Sequence, residues 1–99
     1  MPVRTIEYTK AFKKDLSKIL KSGDRKAIIA VKELLPAIIE NLAADIELEA
    51  KYRDHDLVGD YKGWRECHVA PDLLLIYQKS DKPAPAIILA RLASHAELF

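Results

Sequence analysis

Apolar residues recur along this chain in two rhythms, and the change between them divides it. Phe12, Leu16, Ile19 and Leu20 fall at i, i+4, i+7 and i+8, an apolar stripe of helical period. Lys13, Lys14, Lys18 and Lys21 lie mostly off that stripe, which predicts a basic, solvated helix face. Thr9 is placed to cap the start of this helix, Ser22-Gly23 to stop it, and Asp24 to cap the next. A second stripe runs through Ala27, Ile28, Val31, Leu34, Leu35, Ile38, Ile39 and Leu42. Pro36 lies inside it. Proline has no N–H and clashes with the preceding turn, so a kink or restart is expected there.

Outside these helices the rhythm shortens. Residues 3–8 mix β-branched and aromatic side chains with partial alternation and read as a short strand. Residues 43–52 form an acidic connector, and Leu57-Val58-Gly59-Asp60 reads as a strand end entering a turn. Residues 63–69 predict a strand, Pro71-Asp72 a tight turn, and residues 73–77 a strongly buried strand. A polar loop over 80–85 leads to a last strand over 86–92, and Ser94 is placed to cap a final helical turn. Strands joined by such short turns pair mostly antiparallel. The fold expected is α+β: an N-terminal strand, a helical hairpin, then a three- to four-stranded, mostly antiparallel sheet with the hairpin on one face.

Composition narrows the class. The 99 residues suit one domain spanning 1–99, with 49% hydrophobic and 31% charged residues. No window approaches the ~18 apolar residues of a membrane span, and the N-terminus lacks a signal-peptide core, so a cytoplasmic protein without membrane association is expected. A lone Cys67 excludes an intramolecular disulfide and reads as a buried small hydrophobe. One Cys and three scattered His also argue against a structural zinc site, and no cofactor is expected. The net charge of +1 hides a segregation: residues 10–32 carry a balance of +6, and residues 33–60 one of −6. That pattern fits either two solvated helix faces or a phosphate-attracting basic helix beside an acidic stretch.

The chemistry lies in the three histidines. His55 stands in Arg53-Asp54-His55-Asp56, His68 in Arg65-Glu66-Cys67-His68, and His95 four residues after Arg91. Histidine both gives and takes protons near neutral pH. Together with an arginine and carboxylates, several of them meet the needs of acid–base cleavage of a phosphodiester. Strand alternation puts His68 on the same face as Glu66, with Cys67 and Val69 on the other. The bland alternative is a solvated sheet surface.

Four pieces of sequence carry a family resemblance. They are Asp54-His55-Asp56-Leu57 with Gly59; the run from Tyr61 through Trp64, His68 and Pro71 to Asp72; Leu75-Ile76-Tyr77; and Arg91 with Ser94-His95-Ala96-Glu97-Leu98-Phe99. Ile6-Glu7-Tyr8 and Lys14-Asp15 fit as well. The chain resembles the YafQ branch of the RelE/ParE toxin superfamily, ribosome-dependent mRNA interferases of bacterial type II toxin–antitoxin modules. The resemblance implies a toxin that enters the ribosomal aminoacyl site and cleaves mRNA without a metal, through attack by the message's own 2′-hydroxyl. It implies catalytic positions at His55, His68, Asp72 and His95, with Arg91, Phe99 and Glu66 binding or supporting the RNA. Implied partners are a cognate antitoxin, the small ribosomal subunit with mRNA, and operator DNA reached through the antitoxin complex. Two departures stand out: Leu73 follows Asp72 where relatives place tryptophan, and Glu66 replaces an aspartate. Two other functions share the fold: a ParE-like gyrase poison, and a non-catalytic module binding antitoxin and operator DNA.

Overall fold

The computed structural model describes residues 3–99. Strand β1 (Thr5–Tyr8) leads into helix α1 (Lys10–Lys21), and a second helical run follows as α2 (Arg25–Ile29), a π-helical turn (Ala30–Leu34) and α3 (Leu35–Ala43). Then come β2 (His55–Asp56), β3 (Arg65–Ala70), β4 (Leu73–Ser80), β5 (Ala86–Ala93) and a short helix α4 (His95–Leu98). Among the described residues the five strands form one mixed sheet in the order β1-β5-β4-β3-β2. Only the β1–β5 pairing is parallel. The expected architecture is present, with four strands after the helices.

Local chemistry explains the boundaries. Thr9 Oγ1 accepts the Phe12 N–H at 3.0 Å, and Asp24 Oδ1 accepts that of Ala27 at 3.2 Å, so both predicted caps form. Gly23 supplies the positive φ, +77°, that turns the chain between helices. The first strand starts at Thr5 rather than Val3, because the Val3 and Arg4 N–H groups both donate to the Ala43 carbonyl at the end of α3. Pro36 acts through the turn before it. The Leu35 N–H reaches back five residues to the Ala30 carbonyl, giving a wide turn after which α3 restarts at Leu35 with Pro36 in its first turn, the restart expected there. This extra residue rotates the stripe, and Leu34, expected inside, is 39% exposed. Leu20 also lies outside, at 44%.

Helices cover one face of the sheet. Phe12, Val31, Leu35, Ile38 and Leu42 pack there on Cys67, Leu75, Tyr77, Leu89 and Leu92. The other face carries a smaller cluster of Leu74, Ile76, Ala93 and Leu98, flanked by Leu57, Tyr61 and Trp64. Two register shifts interrupt the ladders, one between His68 and Ala70 and one at Ile76/Tyr77 opposite Ala90. The Ala90 carbonyl beside the second accepts the Thr9 hydroxyl at 2.8 Å. No described helix is long and apolar enough to cross a membrane.

Candidate functional site

The candidate residues gather on the sheet face opposite the helices. His55 pairs with Glu66 across β2–β3, Glu66 with Ile76 across β3–β4, and Ile76 with Arg91 across β4–β5. Cross-strand partners share a face, so these four form one row, about 14 Å from His55 to Arg91 at three strand spacings. A neighbouring row runs from His68 to Leu74 and Ala93. Leu98, packed on Leu74 and Ile76, sets α4 over this floor.

One cluster centres on Glu66. Its side chain is 7% exposed, and Oε1 lies 3.6 Å from His55 Nε2 and 3.5 Å from His68 Nε2. Both distances exceed those of good hydrogen bonds, but both imidazoles are aimed at one carboxylate, with ring centroids 6.4 Å apart. Burial of Glu66 removes the reading of this strand face as mere solvated surface. The Arg53 carbonyl lies 2.6 Å from His55 Nδ1. A carbonyl only accepts, so this bond assigns the proton to Nδ1 and leaves Nε2 of the neutral ring as an acceptor.

The second cluster is built by α4. Ser94 and Glu97 form a reciprocal capping box, the Ser94 hydroxyl accepting the Glu97 N–H and the Glu97 carboxylate accepting the Ser94 N–H. Lys18 Nζ holds the same carboxylate at 2.9 Å. That bond, followed by those from Ser94, keeps the Glu97 pKa below its ordinary value. The His95 ring lies against that of Phe99 at 5.0 Å, and Tyr61 meets Phe99 edge-on at 5.3 Å. The Tyr61 hydroxyl donates to the Leu98 carbonyl at 3.2 Å. Phe99 remains 53% exposed, an open aromatic surface.

Two sequence-derived placements change. Asp72, implied as a catalytic position, accepts the His95 backbone N–H at 3.2 Å and so anchors the start of α4. Arg91, expected beside His95 for the phosphate, is forked onto Asp15 through Nε at 2.7 Å and Nη2 at 3.2 Å. That pairing raises the guanidinium pKa further. Asp15 also accepts the Leu92 N–H, a role that its place on α1 did not reveal. Asp72 and Ser94 line a cleft of about 420 Å³ whose far wall carries Lys18, Ser22 and Lys26. The basic helix therefore borders the site.

Sequence reasoning missed a third group, on the helix-covered side of the same strands. Arg65 Nε donates to the Tyr77 hydroxyl at 3.2 Å, and its other nitrogens meet Asp54 at 3.3 Å and Asp56 at 2.6 Å. Tyr77 donates in turn to Asp54. Burial first, then that bond, raises the tyrosine pKa. For Arg65 burial works against the charge, yet the bonds to Tyr77 and Asp54 outweigh it and the pKa rises. Cys67, fully buried, has its thiol pushed up to about 12, mainly by desolvation.

This sheet and helix arrangement recurs in known toxins. A metal-bound toxin from Helicobacter pylori superposes with a TM-score of 0.80 at 45% identity, covering all of both chains. YafQ in the Escherichia coli DinJ–YafQ complex superposes at 0.73 with 37% identity, covering 97% of this chain and 98% of its own. The mRNA interferase toxin YafQ of Escherichia coli strain K12 is 38% identical over 96 residues, 97% of this chain and 96% of that protein. The family model for the YafQ toxin of bacterial type II toxin–antitoxin systems matches residues 4–99, and the chain belongs to that family.

Proposed function

We propose that this toxin is an endoribonuclease that cuts mRNA in the ribosomal aminoacyl site. The observation that carries the reading is the convergence of His55 and His68 on Glu66 at the open sheet face. In the proposed reaction the 2′-oxygen attacks the adjacent phosphorus as its proton passes to a histidine. The bond from phosphorus to the 5′-oxygen breaks, and a second histidine protonates that oxygen. The products are a 2′,3′-cyclic phosphate and a 5′-hydroxyl, with no step assigned to a metal. His55 suits the base: with Nδ1 donating to the Arg53 carbonyl, Nε2 of the neutral ring takes the proton, and Glu66 Oε1 at 3.6 Å is placed to stabilise the imidazolium formed. His68 and His95 are the acid candidates. The lysines of the adjoining cleft are placed to meet the phosphates, while Arg91, forked onto Asp15, contributes its charge as one half of an ion pair. Phe99 offers a stacking platform, worth ~1–3 kcal/mol per base in other systems. Asp72 contributes by holding His95 in place.

The proposed partners follow from the same reading: a cognate antitoxin, as in the Escherichia coli toxin–antitoxin complex, operator DNA bound through it, and the small ribosomal subunit. The test is to induce the toxin alone, follow protein synthesis, and map mRNA ends on ribosomes. Arrest should come with in-frame cuts, and folded His95→Gln and Asp72→Ala variants should lose both. Arrest with intact mRNA and blocked replication would overturn the reading in favour of a gyrase poison. Absence of any arrest would favour a non-catalytic binding module.

A further inference from the structure

Strand β2 carries His55 yet is two residues long and lies at the sheet edge. Backbone pairing alone fixes so short a strand weakly. The segment enters from a turn in which Arg53 adopts a left-handed φ of +49°. Its side chains supply what the ladder lacks. Asp54 and Asp56, the two neighbours of His55, both grip Arg65, and Asp54 also accepts the Tyr77 hydroxyl. Asp56, Arg65 and Tyr77 are successive cross-strand partners, the row next to His55–Glu66–Ile76 and on the opposite face. One guanidinium therefore pins the residues on either side of His55 to the two inner strands. The His55 ring is held over Glu66 from behind.

We infer that Arg65, acting with Tyr77 and Asp54, is a positioning residue for His55. Stability alone accounts poorly for the Asp56 arm of this convergence. Asp56 is 80% exposed, and a surface ion pair of that kind contributes little to folding. Its effect is on where β2 sits. Displacing a catalytic group by an ångström costs on the order of a hundredfold in rate, whereas binding of the remaining surface is preserved. The inference rests on the proposed role of His55 in cleavage.

The experiment uses the full chain on programmed ribosomes, with a second readout independent of activity. Tyr77→Phe keeps the buried ring and deletes only the hydroxyl; Arg65→Met removes both guanidinium arms and leaves only the Tyr77–Asp54 bond. The expected result is a fall in kcat of about fivefold for Tyr77→Phe and about fiftyfold for Arg65→Met, with KM within about twofold. In a His55→Ala background neither substitution should lower kcat further, because both act through that ring. By NMR, the His55 imidazole signals should shift and the Leu57 amide, bonded to Trp64, should lose exchange protection, while β4 and β5 keep theirs. Unchanged His55 signals in both variants would overturn the inference, as would equal rate losses with and without His55. Should His55→Ala itself cleave normally, the functional reading of His55 fails, and the NMR arm still decides the positioning.

Discussion

Replacing Leu98 with alanine separates the docking of the C-terminal helix from the stability of the fold. Leu98 is 7% exposed and packs against Leu74, Ile76 and Ala93. Leucine-to-alanine changes at buried sites cost ~2–5 kcal/mol, and a four-residue helix resting on the smaller cluster should fall near the lower end, about 2–3 kcal/mol. The other ties of α4 are individually smaller. A helix cap is worth ~1 kcal/mol. An exposed ion pair such as Lys18–Glu97 contributes up to ~1 kcal/mol. A four-residue helix has no appreciable stability of its own. Leu98 is thus the largest single anchor, and its loss should lower the docked-to-undocked ratio roughly 30- to 150-fold. Hydrogen exchange reads this at the Leu98 and Phe99 amides, bonded to the Ser94 and His95 carbonyls. Their protection should drop by about that factor while β4 and β5 stay protected, and mRNA cleavage should fall with it. Unchanged protection of those two amides would refute the packing argument. Lost protection with undiminished cleavage would remove His95 and Phe99 from the site.

Asp15→Ala should destabilise the protein by about 1–2 kcal/mol in urea unfolding, since it strands both Arg91 and the Leu92 N–H; partial exposure of Arg91 keeps the cost below that of a fully buried pair. An unchanged midpoint would show that the fork carries no stability. Cys67, with a thiol near 12, should resist a thiol reagent at pH 8 in the folded protein and react rapidly in guanidinium. Fast native labelling would contradict its burial. Glu97 has a folded pKa below its ordinary 4.5, so its contribution to docking α4 is complete above that value and is lost as pH falls through the lower folded one. Protection at Leu98 and Phe99 should therefore decline in acid, and a Glu97→Gln variant should not show that decline.

Much of the fold was legible because local signals agreed with the global arrangement. Thr9, Asp24 and Ser94 each cap where the sequence places them, and the Pro71-Asp72 turn follows β3. Alternation correctly separated Glu66 and His68 from Cys67 and Val69. What the sequence concealed depends on long-range register. The clamp of Asp54, Asp56, Arg65 and Tyr77 appears only once β2, β3 and β4 are aligned. The Asp15–Arg91 fork joins residues 76 positions apart, which no local pattern signals. Pro36 announced the restart that α3 shows but not the π-turn that precedes it, because several backbone adjustments relieve a proline. Asp72 was named as a candidate beside the histidines, but its bond to the His95 backbone N–H, and not to an imidazole, depends on how α4 docks.

In the proposed reaction, imidazoles on the open face of the sheet promote attack by the message's own 2′-hydroxyl. The most direct measurement is the chemistry of the cut ends. Purified toxin is added to ribosomes programmed with a defined mRNA, and the termini are identified by enzymatic end-labelling and mass spectrometry. Attack by the 2′-oxygen should leave a 2′,3′-cyclic phosphate, or the 3′-phosphate derived from it, upstream and a 5′-hydroxyl downstream, with yield lost in His55→Gln, His68→Gln and His95→Gln. A 3′-hydroxyl facing a 5′-phosphate would contradict it, because water rather than the 2′-oxygen would then be the nucleophile.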